Sequence, residues 1–515
     1  MDVPTASVTV DQPVDGLPSF THQQIVSVML GIMLCIVLSA IDITVVVPAV
    51  PAIAADLHGF GHLSWIVSAY LLTSTAAMPI SAKLSDIYGR RTLLMLSIIL
   101  FVVTSVLCGL SQSLLQLIIC RAIQGIGGGG LVAISQTVIA DVVAPRERGR
   151  YQGYMAGSWG LASIFGPILG GWMTDYLSWH WIFWINAPIG IAALVLSNRA
   201  LRLLKARRPE TRIDYLGAVL LTGISTSCLL LMSWGGTEYP WASAPILGLG
   251  GASVLLLGVL YFQERLAVDP ILPLRIFANT EIGIGIFAAS LGIAAMLGGT
   301  FLLPLFFQLV RGANASASGT LLVPFLALNA LGAYFSGRLT RWLGRAKMIV
   351  IGGSVGSAIG FALMATMVSG TAPVLSVVYA GVAGMSIGST MPATMVIAQN
   401  AAARRDVGAV TGAFLFLRSM GGVFGSTLVW AVLISVYSRR LTGLGVTQRI
   451  DLGALRSGGA AALQELDPAT LTASRAALSS GFHIAFLACA GLSAIAALAC
   501  AFLRDLPLQS SATKR

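Results

Sequence analysis

Ala82-Lys83-Leu84-Ser85-Asp86-Ile87-Tyr88-Gly89-Arg90-Arg91 joins two apolar stretches, 62–82 and 92–111, each long enough to cross a bilayer at about 20 residues per span. Some 255 residues further on, Gly337-Arg338-Leu339-Thr340-Arg341-Trp342-Leu343-Gly344-Arg345 joins 316–337 to 347–368. Both fit small-x-Leu-x-x-x-x-Gly-Arg, and both stand after the second span of a six-span set. Such a recurrence marks an internal repeat. Outward from these loops the apolar stretches are 25–53, 62–82, 92–111, 114–140, 152–173, 181–201, 214–235, 243–263, 281–307, 316–337, 347–368, 373–396, 408–437 and 480–503, fourteen in all. Spans 1–6 and 9–14 then form two six-helix bundles, 24–202 and 281–503, with a basic linker and two inserted spans at 203–280. Two related bundles with a site between them is a common plan for secondary transporters.

Composition agrees with this all-α polytopic membrane fold. The chain is 56% hydrophobic and 10% charged with a mean hydropathy of +0.86, whereas soluble domains carry about 25% charged residues. The net charge of +11 does not point to nucleic acid, because the basic residues are scattered between apolar stretches rather than gathered in a stripe. They follow topology instead: 23 of the 31 Lys and Arg fall in the even-numbered connections and the C-terminal tail, and six in the odd-numbered connections. Cytoplasmic loops hold this excess, which places the chain in the cell (inner) membrane with both termini on the cytoplasmic side.

Residues 1–23 and 504–515 read as cytoplasmic tails, the first without the basic start and short apolar core of a cleavable signal. The long polar stretch at 438–479 is an outer loop, either mobile or a docking surface for a periplasmic adaptor. The six cysteines lie in apolar stretches without CxxC spacing, so neither disulfide nor metal site is expected. Gly127 to Gly130 lack the Lys-Ser/Thr ending of a phosphate loop, and no nucleotide or other cofactor is implied.

Six motifs in order resemble the fourteen-helix drug:proton antiporter branch of the major facilitator superfamily. They are Asp42-Ile-Thr44-Val-Val-Val-Pro48-Ala-Val-Pro51 in span 1, Lys83 to Arg91 after span 2, Arg121-Ala-Ile-Gln124-Gly125 in span 4, Gly166-Pro167-Ile-Leu-Gly170-Gly171 in span 5, Trp181-Ile-Phe-Trp-Ile-Asn186-Ala-Pro188-Ile-Gly190 in span 6, and Phe416-Leu-Arg418-Ser-Met-Gly421-Gly422 in span 13. The resemblance implies proton-driven export of lipophilic compounds by alternating access. It also implies that Asp86, with Gly89, Arg90 and Arg91, latches the state closed to the cytoplasm. The chain departs from the loop signature at Ala82 and Ile87, and the second copy has Arg341 where the first has Asp86.

An ionisable residue deep in lipid is costly unless it faces a partner or a cavity, which makes Asp42, Arg121 and Arg418 functional candidates. At 1.5 Å per residue, Asp42 lies about 16 Å from the outer end of span 1 and Arg121 about 10 Å from that of span 4. The two spans run antiparallel, so the charges reach similar depth. Burial favours the neutral acid and a nearby cation favours the carboxylate, so a change in either loads or releases a proton; the alternative is a static salt bridge. Arg418 contacts either substrate or its own bundle's carbonyls.

Asp86 is placed to meet a helix N-terminus such as that of span 13 near Gly408. Gly166 and Gly170 form a small face beside Pro167, read as a conformational joint between the halves. Trp65, Tyr70, Phe301, Phe306 and Phe307 are candidate contacts for greasy substrates. The rival readings are a different cargo, such as a lipid, a siderophore or a self-made antibiotic, and a membrane-embedded enzyme. No mid-span histidine, HExxH motif or paired acid supports the enzyme.

Overall fold

In the computed structural model the described residues are 21–57, 64–203, 214–236, 239–313, 315–403, 406–443 and 468–505. Most of both tails, the centre of the basic linker and the centre of the 438–479 loop lie outside them. Among the described residues the chain forms fourteen long helices and no strand. They are α1 (His22–Asp56), α2 (Ser64–Tyr88), α3 (Arg90–Gly109), α4 (Leu114–Val142), α5 (Pro145–Tyr176), α6 (Trp181–Ala200), α7 (Tyr215–Trp234), α8 (Ala244–Leu266), α9 (Thr280–Leu309), α10 (Ala315–Leu343), α11 (Lys347–Ala365), α12 (Pro373–Ala401), α13 (Val407–Gly443) and α14 (Pro468–Ala501). Thirteen are long and apolar enough to cross a membrane. The exception is α5, whose 32 residues have the length but include a polar first turn and many small residues. It packs on α1 along one face and on α10 along another, so less of its surface needs to suit lipid.

One departure from the expected spans has a clear cause. Span 6 is interrupted: the short helix Trp181–Trp184 is followed by Asn186–Ala200. Pro188 has no N–H to donate to the carbonyl of Trp184, and its ring crowds that carbonyl, so the helix restarts at Asn186. The loops after α2 and α10 turn sharply, and Gly89 (φ 92°) and Gly344 (φ 65°) occupy a backbone region that other residues avoid. This is the physical reason that both copies of the repeated motif hold glycine there.

Within the first six helices α1 packs on α5 and α6, α2 on α4, and α3 on α4 and α6. Within the last six α9 packs on α13 and α14, α10 on α12, and α11 on α12 and α14. The pair α7 and α8 pack on each other, and α7 leans on α2 and α13.

The halves meet chiefly through α5 with α10 and α2 with α13. The named contacts across this seam run from the end that carries the basic loops to about the middle of the helices. Glu147 pairs with Arg341 at 2.6 Å, Gln399 Nε2 donates to the carbonyl of Gln136 at 3.4 Å, and Ser419 Oγ meets Met78 Sδ at 3.9 Å. Glycines allow the approach: a methyl on Gly153 would lie 3.0 Å from the carbonyl oxygen of Ala333, and one on Gly160 would lie 2.7 Å from the Ala330 Cβ. The basic end is therefore closed in this conformation.

Candidate functional site

The ionisable pair of the first half is assembled by four helices. Asp42 on α1 and Arg121 on α4 are 0% and 1% exposed, and Arg121 Nη1 donates to Asp42 Oδ2 at 2.6 Å. Gln124, one turn along α4 from Arg121, shares its face. Its Nε2 donates to Asp42 Oδ1 at 2.9 Å and its Oε1 accepts from Arg121 Nη1 at 2.9 Å, so one amide bridges both charges. The break in α6 puts Asn186 in reach, and its Nδ2 donates to Asp42 Oδ1 and to Ser105 Oγ, both at 2.9 Å. Ser105 in turn donates to the carbonyl of Phe183 at 2.9 Å.

Arg121 is held from several sides besides Asp42. Its Nε donates to the carbonyl of Ile66 at 3.1 Å, and its guanidinium lies 4.4 Å from the centroid of the Tyr70 ring. The Tyr70 hydroxyl pairs with Ser39 at 3.1 Å.

This arrangement has a definite chemistry. The carboxylate has three donors in this conformation, which satisfies a charge that burial would otherwise make costly. Arg121 keeps a carbonyl, an amide oxygen and an aromatic face when Asp42 is neutral. Loss of the Asp42 charge by protonation thus leaves the cation partnered, and the fold does not depend on the ion pair alone. With both groups sealed from solvent, proton exchange requires a conformational change.

At the basic end Asp86 pairs with Arg90, and its carboxylate lies against Gly408 in the first turn of α13, where a methyl would come 2.6 Å from the Asp86 Cγ. An acid at a helix N-terminus meets the positive end of the helix dipole. Arg90 also reaches Asp141 at 2.8 Å, and Arg91 donates to Asn198 Oδ1 at 2.6 and 3.0 Å. Asp86 therefore touches the opposite half, whereas its two neighbouring arginines are spent within their own.

The remaining candidates divide. Gly166 and Gly170 of α5 pack on α1 of the same half, not across the seam: methyls there would overlap the Thr44 side chain and the Val45 carbonyl. This corrects the expected joint between halves. The glycines of α5 at the seam are Gly149, Gly153 and Gly160, nearer its start, and Gly171 faces open space. Pro167 lies inside α5.

Tyr70 forms the floor under Arg121 and is 1% exposed. Phe306 and Phe307 are enclosed among Phe482, Phe486 and their neighbours, Phe301 is on the outer surface of α9, and Trp65 stands edge-on to Trp234 of α7. Arg418 is half-buried, with Nη2 3.3 Å from Met391 Sδ. Gln124, Asn186 and Ser105 were not among the expected site residues. The first two have a readable signal, since Gln124 is one turn from Arg121 and Asn186 stands two before Pro188, at the point where span 6 is interrupted.

Fourteen long helices in two packed halves, with a sealed ion pair in the membrane interior of one, define a multi-pass membrane transporter. The chain belongs to the Major Facilitator Superfamily, whose family model matches residues 32–426. It is 35% identical over 473 residues to an uncharacterised MFS-type transporter of Mycobacterium tuberculosis, covering 92% of this chain and 68% of that one. It is also 35% identical over 439 residues to the multidrug transporter protein MdtP of Bacillus subtilis, covering 84% of this chain and 80% of that one. Among solved structures, the proton:xylose symporter XylE aligns over 93% of this chain and 95% of its own with a TM-score of 0.59. At 14% identity that is a likeness of fold alone. The family and these relatives are transporters, not enzymes.

Proposed function

We propose that this transporter exports lipophilic, drug-like compounds across the cytoplasmic membrane in exchange for protons, by alternating access of the helices 24–202 and 281–503 around a site between them. Both termini and the basic loops face the cytoplasm in this reading, and the conformation described is the one closed to that side. The observation that carries the reading is the sealed network of Asp42, Arg121, Gln124 and Asn186. A titratable acid in the membrane interior, paired with a cation that retains other partners, can take up and release a proton without disrupting the helices around it. The multidrug names of relatives such as MdtP support the substrate class.

Asp86 is the latch. Its contact with the start of α13 forms when the cytoplasmic side closes and breaks when that side opens. The driving force is adequate: one charge crossing 100 mV yields about 2.3 kcal/mol, and each pH unit adds about 1.4 kcal/mol. The test is dye transport into proteoliposomes under an imposed pH gradient. Uphill transport that stops when a protonophore collapses the gradient is expected; transport indifferent to the gradient would sink the proposal.

A further inference from the structure

The two arginines of the membrane interior stand in contrasting surroundings. Arg121 is matched with a carboxylate, an amide oxygen, a carbonyl and an aromatic face. Arg418 lies about 16 Å from the start of α13, near the middle of a hydrocarbon core about 30 Å thick. Among the described residues it forms no ion pair and no hydrogen bond to a carbonyl; its polar contact is the Met391 thioether. A guanidinium has five N–H donors and a thioether is a weak acceptor, so most of its capacity is unmatched among the described residues. Membrane arginines ordinarily pair with acids or carbonyls.

Its position makes this meaningful. The next residue, Ser419, meets Met78 of α2 at 3.9 Å, so the helix turn that carries Arg418 stands at the seam between the halves. Met391 lies about two turns along α12 from Gln399, which closes the seam against Gln136 nearer the basic end. Arg418 therefore sits at the inner limit of the closed seam, at the depth expected for a transport site. Met78 and Met391 bring flexible, polarisable side chains that adapt to varied apolar shapes. The other interior charge available to a substrate, Asp42, is sealed and already holds three donors.

We propose that Arg418 is the anion-recognising residue of the transport site, and that the substrates include lipophilic organic monoanions whose carboxylate pairs with its guanidinium. The planar fork of arginine binds a carboxylate through two parallel hydrogen bonds, and low local dielectric strengthens them. The inference rests on the reading of the seam as the transport site and adds the charge of the cargo.

The test compares dansyl-undecanoic acid with its methyl ester, which differ in charge and little else. Binding to the purified full chain in detergent is read by energy transfer from its tryptophans to the dansyl group. The wild type is expected to bind the acid about tenfold more tightly than the ester. Arg418→Gln should remove that preference while its melting temperature, followed by tryptophan emission, stays at the parent's value, which shows that the variant is folded; Arg418→Lys should restore part of it. Equal affinities in the wild type, or a preference that survives in Arg418→Gln, would overturn the proposal. Failure of proton coupling would appear in the gradient experiment and leave this preference intact, so the two readings fail separately.

Discussion

Gly337→Ala places one methyl group where the backbones of α5 and α10 meet across the halves. Built on the present backbone, that methyl lies 2.8 Å from the carbonyl carbon of Gly149 and 3.1 Å from the Arg150 Cα, and it overlaps the Gly149 carbonyl oxygen. Carbon atoms in contact are ordinarily about 3.5–4.0 Å apart, so α5 and α10 must separate locally by roughly 0.7–1.2 Å. Overpacking of this kind costs about 1–3 kcal/mol. The cost falls on the closed arrangement, because the methyl gains room once the basic ends part. A bias of that size shifts the equilibrium toward the open arrangement by about 5–150-fold. Spin labels at Tyr88 and Trp342, which are 53% and 78% exposed in opposite halves, report the opening as a distance. The variant should gain a long-distance population that the parent lacks. A folded variant with an unchanged distance distribution would show instead that the seam tolerates the methyl without opening.

Three further outcomes follow from the same geometry. Asp86→Asn removes the charge at the start of α13, worth about 0.3–2 kcal/mol at a helix terminus; transport should slow and a cysteine placed at Met78 should label faster from the basic face, and an unchanged rate and labelling would leave the acid only a local pairing role. Gly170→Ala adds a methyl 3.0 Å from the Val45 carbonyl carbon, inside one half. It should lower the melting temperature, with a loss of about 1–3 kcal/mol, without favouring either end, and a spin-label distance change at the basic end would contradict that assignment. A reporter fused after Arg515 should be active only when folded in the cytoplasm, and activity on the other side would overturn the orientation.

The helices were legible because a membrane imposes its requirement on each segment separately: about 20 apolar residues, with the loops marked by charge. The pairing of Asp42 with Arg121 was legible for a similar reason, since depth along two antiparallel helices follows from residue count alone. Partner choice around a helix does not follow from count. Gly166 and Gly170 announce a close approach but not its object, and the structure gives it to α1 while Gly149 and Gly153 take the seam. A Gly-x-x-x-Gly pair stands there too, at Gly149 and Gly153, and no sequence rule ranks one such face above the other. Aromatic residues were the least legible. Phe306 and Phe301 are five residues apart on α9, and this offset alone turns one into the core and the other to the surface. Tyr70 is enclosed because a guanidinium needs its ring face, a demand made by a residue on another helix.

Asp42 is the proposed carrier of the coupling proton, and proton movement by purified Asp42→Asn in proteoliposomes tests that role. Asparagine keeps the size of the side chain and its hydrogen bond to Arg121 but cannot titrate. Substrate addition should move no protons and a pH gradient should drive no accumulation, while the variant stays folded and facilitated movement of neutral substrate down its own gradient survives. If Asp42→Asn concentrates substrate against its gradient and moves protons in the parent's ratio, the proton site lies elsewhere and the pair with Arg121 is a fixed brace of the first six helices.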